Sequence, residues 1–180
     1  MALALDRNLI FLVIRMTLFT LLGLLAVFIE VAPLGLTAGA LPSPDLLACL
    51  VACWTLRRPE AAPIVLVFLL GICRDLLSDT PPGAGTLSLV LMTQVLLSWR
   101  AWLVIRPFVV EWLIVAIAIV AMLFLQWAII VLTLGHPPYV TEMGVLALVT
   151  MLAYPPVALI LRWGLGVSWQ KVSGRSGRAL

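Results

Sequence analysis

Charged residues are scarce in this chain of 180 residues, and it contains a single histidine. Only 11% of the residues are charged and 64% are apolar, whereas an ordinary soluble domain has about 25% charged and about 45–50% apolar residues. A water-soluble globule of this size has too little interior to bury so much apolar surface. The composition therefore argues against a soluble enzyme, a nucleic-acid binder and a disordered tail. It favours a polytopic membrane protein with almost no extramembrane domain.

Cysteine is also rare, and Cys49, Cys53 and Cys73 form no C-x-x-C pair. All three lie inside apolar runs, so we expect them to pack as small apolar side chains without a disulfide or a metal site. The sequence lacks H-E-x-x-H, G-x-S-x-G and a flanked pair of intramembrane catalytic aspartates. We therefore expect no enzymatic activity and no cofactor.

Long apolar runs separated by short polar segments are abundant. The runs lack the alternation that a membrane barrel needs, and proline and glycine at the joints are typical helix stops. The sequence predicts an all-α domain over residues 1–163 with six transmembrane helices, at approximately 8–30, 44–57, 61–78, 84–105, 108–134 and 143–163. Residues 164–180 are predicted to form a short basic cytoplasmic tail.

The distribution of cations predicts the orientation of these helices. With the N-terminus in the cytoplasm, ten of the 11 Lys and Arg residues fall on the inner side, and only Arg74 falls on the outer side. The outer side also receives the acidic residues Glu30, Asp45, Asp75, Asp79 and Glu142. This asymmetry follows the positive-inside rule, and an even number of spans places both termini inside. Because the basic residues form no single patch, we expect no nucleic-acid partner.

The N-terminal segment resembles a signal peptide, with Arg7, an apolar stretch and the small residues at 38–40. The apolar stretch over residues 9–29 is longer than the typical signal core of about 7–15 residues. Glu30 and further residues also separate it from the small residues. We therefore expect an uncleaved first helix.

Several charged residues lie too deep in the predicted helices to reach the outer surface. Residues 46–56 form about 16 Å of helix and residues 61–73 about 20 Å, whereas the hydrocarbon core is about 30 Å thick. Ionisable groups at such depth normally face the interior of a helix bundle and pair with one another. We predict a buried polar cluster made of Asp45, Arg74, Asp75 and Asp79.

This cluster has three possible roles. It can be structural, as an internal ion pair or as an interface anchor in which Arg74 snorkels outward and Asp75 caps the helix. It can also form a ligand or proton-handling site, or a docking site for a partner. We favour the structural role. Elsewhere, Arg15 is expected to snorkel inward, and its pairing with Glu111 is a weaker option.

Four further residues are assigned to helix packing. Gly71 is expected to pack between helices, and Gln126, the lone amide of the fifth helix, is expected to form a helix–helix hydrogen bond. The segment Tyr154-Pro155-Pro156 is predicted to interrupt and kink the sixth helix, because the carbonyl groups freed by proline need another partner.

Two segments resemble a known family. Residues 44–47 (P-D-L-L) and 54–60 (W-T-L-R-R-P-E) resemble the second-helix motif of the bacterial rod shape-determining protein MreD family. Residues 71–78 match its G-x-x-x-D-L-L-S signature, and residues 80–83 resemble its P-x-G turn. Arg74 stands where the family pattern is usually apolar, and Asp79 where it often has glycine. The match covers roughly residues 44–85, and the remainder agrees only in hydropathy.

The resemblance implies a non-enzymatic subunit of the cell-elongation machinery in the bacterial inner membrane, which builds lateral peptidoglycan and maintains rod shape. Its implied partners are the periplasmic scaffold MreC, the MreB filament, and the RodA polymerase with its class B penicillin-binding protein. The family's fold is similar to the S component of ECF vitamin transporters. A small-molecule binding or transport subunit is therefore the alternative function.

We place the predicted partner contacts on two surfaces. The turn Arg57-Arg58-Pro59-Glu60 and the basic tail are expected to face cytoplasmic partners, and the tail also lies near anionic membrane lipid. The segment that includes Asp75, Pro81 and Gly83 is expected to face MreC. Gly83 follows two prolines, where a turn often needs a positive φ or close backbone approach.

Overall fold

All regular structure in the described part of the chain is helical. The structure, a computed structural model, describes residues 2–31, 43–78, 81–103, 105–134 and 139–164. The helices are α1 (Ala2–Val31), α2 (Leu46–Arg57), α3 (Ile64–Leu77), α4 (Ala84–Leu103), α5 (Phe108–Leu134) and α6 (Val140–Gly164). A single 3₁₀ turn, Pro59–Ala61, lies between α2 and α3. Apart from the earlier start of α1, these bounds lie within a few residues of the predicted helices.

In the described part of the chain, four helices are long and apolar enough to cross a membrane. The spans are Leu9–Val31, Ala84–Leu103, Phe108–Thr133 and Thr141–Trp163. Large apolar side chains cover their outward faces; Phe28, Ile117, Phe124 and Leu132, for example, are each at least two-thirds exposed. Such a continuous apolar surface is unfavourable in water and suits contact with lipid. The protein is therefore an all-helical membrane protein, as its composition predicts.

The short helix α2 lies at the centre of the bundle. It packs against α1, α4 and α6, and every residue from Leu47 to Arg57 is buried. A helix that is apolar on all sides is expected to be buried in this way. Its largest side chain, Trp54, contacts Phe19 of α1 with ring centroids 5.5 Å apart. The remaining helices thus surround an apolar core built on α2.

Both α2 and α3 are short for membrane helices. They contain 12 and 14 residues, or about 18 and 21 Å of helix, against a hydrocarbon core of about 30 Å. α3 packs against α1 and α4, while α5 packs against α4 and α6. Because the longer helices extend beyond α2 and α3, the charged residues at the ends of these two helices lie inside the bundle.

The two ends of the bundle differ in charge. At one end the side chain of Arg100 reaches the end of α2, where its Nε donates to the carbonyl of Leu56 at 2.9 Å. The described residues at this arginine end include Arg57, Arg58, Arg100, Arg106 and Arg162. The opposite, acidic end includes Glu30, Asp45, Asp75 and Glu142, together with Arg74.

Helix α6 continues through Pro155 and Pro156 without interruption. Pro155 lacks the N–H that would normally pair with the carbonyl of Met151, and the indole Nε1 of Trp112 donates to that carbonyl at 3.0 Å. The prediction that the prolines interrupt the sixth helix is therefore wrong, whereas the kink stays a prediction. The freed carbonyl does find another partner, as expected, in a side chain of α5.

Candidate functional site

An ion pair between Asp45 and Arg74 joins α2 to α3. Asp45 directly precedes α2, and its Oδ1 accepts from the backbone N–H of Ala48 at 2.7 Å as the helix cap. Its Oδ2 accepts from Nη1 of Arg74 at 2.8 Å. Both residues are buried. One carboxylate therefore starts α2 and neutralises the deep arginine of α3, which combines a capping role with a buried ion pair.

The neighbouring carboxylate of Asp75 organises the turn between α3 and α4. Its Oδ2 accepts from the backbone N–H of Gly83 at 3.0 Å, and from the N–H and hydroxyl of Thr86 at 2.9 and 2.8 Å. Its Oδ1 lies 3.8 Å from Nε of Arg74. A carboxylate at a helix start satisfies free N–H groups and interacts favourably with the helix dipole. Asp75 therefore ties the end of α3 to the first turn of α4.

Three side chains that the sequence did not assign to the cluster complete it: Thr86, which contacts Asp75, and Glu30 and Thr150. The backbone N–H of Leu47 donates to Oε1 of Glu30 at 2.7 Å, and that of Asp45 donates to Oγ1 of Thr150 at 3.0 Å. We expected Glu30 only as a charge that closes the first helix on the outer side. The sequence signal that could have placed Glu30 in the cluster is its position at the end of a long apolar run. We name the set Glu30, Asp45, Arg74, Asp75, Thr86 and Thr150 the acidic-end cluster.

The acidic-end cluster lies deep along the longer helices. Thr150, which contacts Asp45, lies about 15 Å along α6 from its start at Val140. Gln126 of α5 lies about 12 Å from the end of that helix at Leu134. The structure thus brings Asp45, Arg74 and Asp75 together at the depth that the short helices predict. Asp79 lies outside the described residues.

A cavity of about 340 Å³ adjoins the cluster. Its polar lining includes Glu30, Asp45, Arg74 and Gln126, and Leu123 and Leu146 supply apolar walls. Gln126, predicted to bond another helix, instead borders this cavity, with no hydrogen bond to any residue that the structure describes. Because the polar lining includes the Asp45–Arg74 ion pair with Glu30 and Gln126, the cavity is best suited to a polar, hydrogen-bonding group. In the described part of the chain no group of His, Cys, Asp and Glu is arranged to hold a metal ion.

Gly71, within α3, and Gly83, in the connection between α3 and α4, have different roles. An added Cβ at Gly71 would lie 3.0 Å from Cα of Thr86, so Gly71 allows α3 and α4 to approach closely, in agreement with its predicted packing role. Gly83 has a φ of 98° and open space around it. Glycine is therefore required at position 83 by the positive φ of the backbone, and not because another part of the chain lies close to it.

A second buried ion pair lies at the arginine end. Nη2 of Arg57 donates to Oε1 of Glu111 at 3.2 Å, and the hydroxyl of Tyr154 donates to the same oxygen at 2.6 Å. All three residues are almost fully buried. The prediction of Arg57 as a partner-contacting residue is therefore corrected, because its side chain lies inside the bundle. Glu111 pairs with Arg57, and not with Arg15 as considered from the sequence.

The rest of the predicted cytoplasmic turn is more accessible. Arg58 and Pro59 are partly exposed, and Glu60 is exposed. Burial and the nearby positive charge of Arg15 lower the pKa of the Arg58 guanidinium. The turn therefore presents Arg58, Pro59 and Glu60, while residues 165–180 of the predicted basic tail lie outside the described residues. Pro81 is partly exposed beside Gly83.

Comparisons with known proteins give no match. No family model, no curated protein and no solved structure is similar enough to this chain to assign it to a family or a fold.

Proposed function

We propose that the chain is a non-enzymatic scaffold subunit of the MreD family in the bacterial inner membrane, which binds MreC and links the MreB filament to peptidoglycan synthesis. The resemblance of residues 44–60 and 71–83 to that family's motifs supports the proposal. The observation that carries it is the role of Asp75, because the motif aspartate organises the motif turn through Gly83.

The proposed topology has six transmembrane helices with both termini in the cytoplasm, arranged as in the S component of ECF transporters. The arginine end then faces the cytoplasm, as the positive-inside rule requires. α2 and α3 cross as short helices inside a bundle of longer ones, which shields their charged ends from lipid.

The proposed MreC-binding surface is a groove between α3 and α4 beside Asp75. This groove has a volume of about 360 Å³, and Phe68, Ile72, Gly83 and Leu87 contribute to its lining. Phe68 and Leu87 are about half exposed. Since Asp75 rigidifies the connection between the two helices, the groove is a preformed apolar surface for a transmembrane or periplasmic segment of MreC. We name it the α3–α4 groove.

The remaining proposed partners are assigned to the cytoplasmic end of the protein. The turn at Arg58, Pro59 and Glu60, together with the basic tail, is proposed to contact MreB in the cytoplasm. RodA and its class B penicillin-binding protein are proposed to join through the assembled complex. None of these contacts requires a chemical step by this chain, in agreement with the proposed scaffold role.

Affinity capture of the tagged full-length protein in mild detergent tests the proposal. We expect MreC to co-purify with the wild-type chain. Leu87→Trp fills the α3–α4 groove and should reduce the recovered MreC at least about fivefold, the effect of losing roughly 1 kcal/mol of binding. The control is Leu132→Trp, which places the same side chain on an exposed face of α5. Equal recovery with both variants at equal expression would refute the docking surface.

The cavity of about 340 Å³ beside Asp45 and Arg74 favours one alternative, a small-molecule binding or transport subunit. This function predicts that the protein co-purifies with a nucleotide-driven transporter module and not with cell-wall synthesis proteins. It also predicts saturable ligand binding that is lost in Arg74→Met. The same capture experiment therefore separates the two functions.

A further inference from the structure

A second cavity lies at the arginine end, between the start of α5 and the proline-containing part of α6. Its volume is about 380 Å³. Phe108, Pro155, Pro156 and Leu159 form apolar walls. We name it the arginine-end cavity. It lies at the opposite end of α2 from the acidic-end cluster. The inference rests on the proposed topology and not on the proposed scaffold role.

Two arginines line this cavity from different depths. Arg57 is buried at 3% exposure, whereas Arg162 is exposed. Glu111 is paired with Arg57. Among the residues that the structure describes, no carboxylate lies within ion-pair distance of Arg162. The cavity therefore retains a positive charge at its mouth, next to apolar walls.

The shape of the cavity is fixed by its prolines and by the hydrogen bond that compensates for one of them. The indole of Trp112 donates to the Met151 carbonyl that Pro155 leaves free, and the helix remains continuous. The ring of Pro156 contributes to the cavity wall. A pyrrolidine ring has little conformational freedom to lose on binding. The wall is thus preorganised.

Charge complementarity selects the occupant. The chain's own residues 165–180 carry Lys171, Arg175 and Arg178 and no acidic residue, so the tail does not match a positively charged mouth. A second copy of the chain would bring the same arginines. An anionic phospholipid matches both features, because its phosphate suits a guanidinium and its acyl chain suits an apolar wall. Basic pockets between membrane helices on the cytoplasmic side bind such head groups.

We propose that the arginine-end cavity is a binding site for one anionic phospholipid of the adjacent leaflet. Its phosphate contacts Arg162 at the mouth, since the charge of Arg57 is already paired with Glu111. One acyl chain lies along Phe108 and Leu159.

Native mass spectrometry of the full-length protein, titrated with dioleoyl lipids in mild detergent, tests this site. We expect one saturable adduct with phosphatidylglycerol and much weaker binding of phosphatidylcholine. Arg162→Gln should lower the affinity for phosphatidylglycerol about fivefold, the effect of about one cation near a membrane surface. It should have a smaller effect on phosphatidylcholine, whose choline cation balances the phosphate charge. Leu159→Trp should weaken both lipids, because it occupies the acyl-chain wall.

Two controls separate this site from general attraction to the basic end. Arg58→Gln removes a cation of the same end that does not line the cavity and should leave the affinity unchanged. Neutralising the tail as Lys171→Gln, Arg175→Gln and Arg178→Gln should likewise preserve the single adduct. Equal affinity for the two lipids, no effect of Arg162→Gln, or loss of the adduct on tail neutralisation would overturn the proposal.

Discussion

Replacement of Arg74 is expected to be the most damaging single change in the acidic-end cluster. Arg74→Met removes the guanidinium that lies 2.8 Å from Oδ2 of Asp45 and 3.8 Å from Oδ1 of Asp75. Removing one partner of a buried ion pair costs about 3–5 kcal/mol, because the other partner keeps an uncompensated charge. Two carboxylates lose their cation here, so we expect a loss of about 4–5 kcal/mol in the free energy of unfolding.

Asp45→Asn is the matched variant on the other side of the pair. Asparagine keeps an oxygen for the Ala48 N–H and remains a good helix cap, and Arg74 keeps Asp75 as a partner. We therefore expect a smaller loss of about 1–3 kcal/mol, the range for a hydrogen bond to a charged group. In the double variant only Asp75 is left without a cation, so the combined loss should fall below the sum of the single losses by about 1–3 kcal/mol.

Equilibrium unfolding of the purified variants in mixed micelles measures these differences. Tryptophan fluorescence follows the transition, since Trp54 lies in the core beside Phe19. Losses that add to within about 0.5 kcal/mol would show that Asp45 and Arg74 are not coupled. That result, or an Arg74→Met variant as stable as the wild type, would refute the buried ion pair.

Three further changes test other parts of the structure. Gly71→Leu should lower the free energy of unfolding by about 1–3 kcal/mol, because it overpacks the contact of α3 with α4. The control Gly144→Leu, at a position with open space around it, should change the free energy of unfolding by less than about 0.5 kcal/mol. Equal effects of the two variants would contradict the close approach of α3 and α4. Tyr154→Phe removes one hydrogen bond to a buried carboxylate and should cost about 1–3 kcal/mol in the same unfolding assay, and an unaffected variant would argue against that bond. Reporter fusions after Arg58 and after Pro82 should report opposite compartments, and the proposed topology is wrong if both report the same one.

The helices and the depth of the charged residues could be predicted from the sequence. Proline and glycine after long apolar runs mark the helix ends. The runs themselves are predicted to be helical, because a backbone in an apolar environment must pair its own polar groups. With Arg57 and Arg58 at the inner interface, the short distance to Asp45 predicted that Asp45 lies below the outer surface. The pairing of Asp45, Arg74 and Asp75 followed because buried charges seek partners.

The other contacts depend on packing between distant helices, which no local pattern encodes. Glu111 and Tyr154 are far apart in sequence from Arg57, and their contact arises only when α5 and α6 pack around α2. Trp112 compensates for Pro155 for the same reason. Local rules predicted a break at the prolines because they do not include a donor from another helix.

Site-specific photo-cross-linking in intact cells that produce MreC tests the proposed docking groove most directly. A photoreactive side chain at Leu87, in the α3–α4 groove, should cross-link to MreC, while the same group at Leu132 on α5 should contact only lipid. Cross-links to MreC from neither position, or equally from both, would contradict docking at this surface.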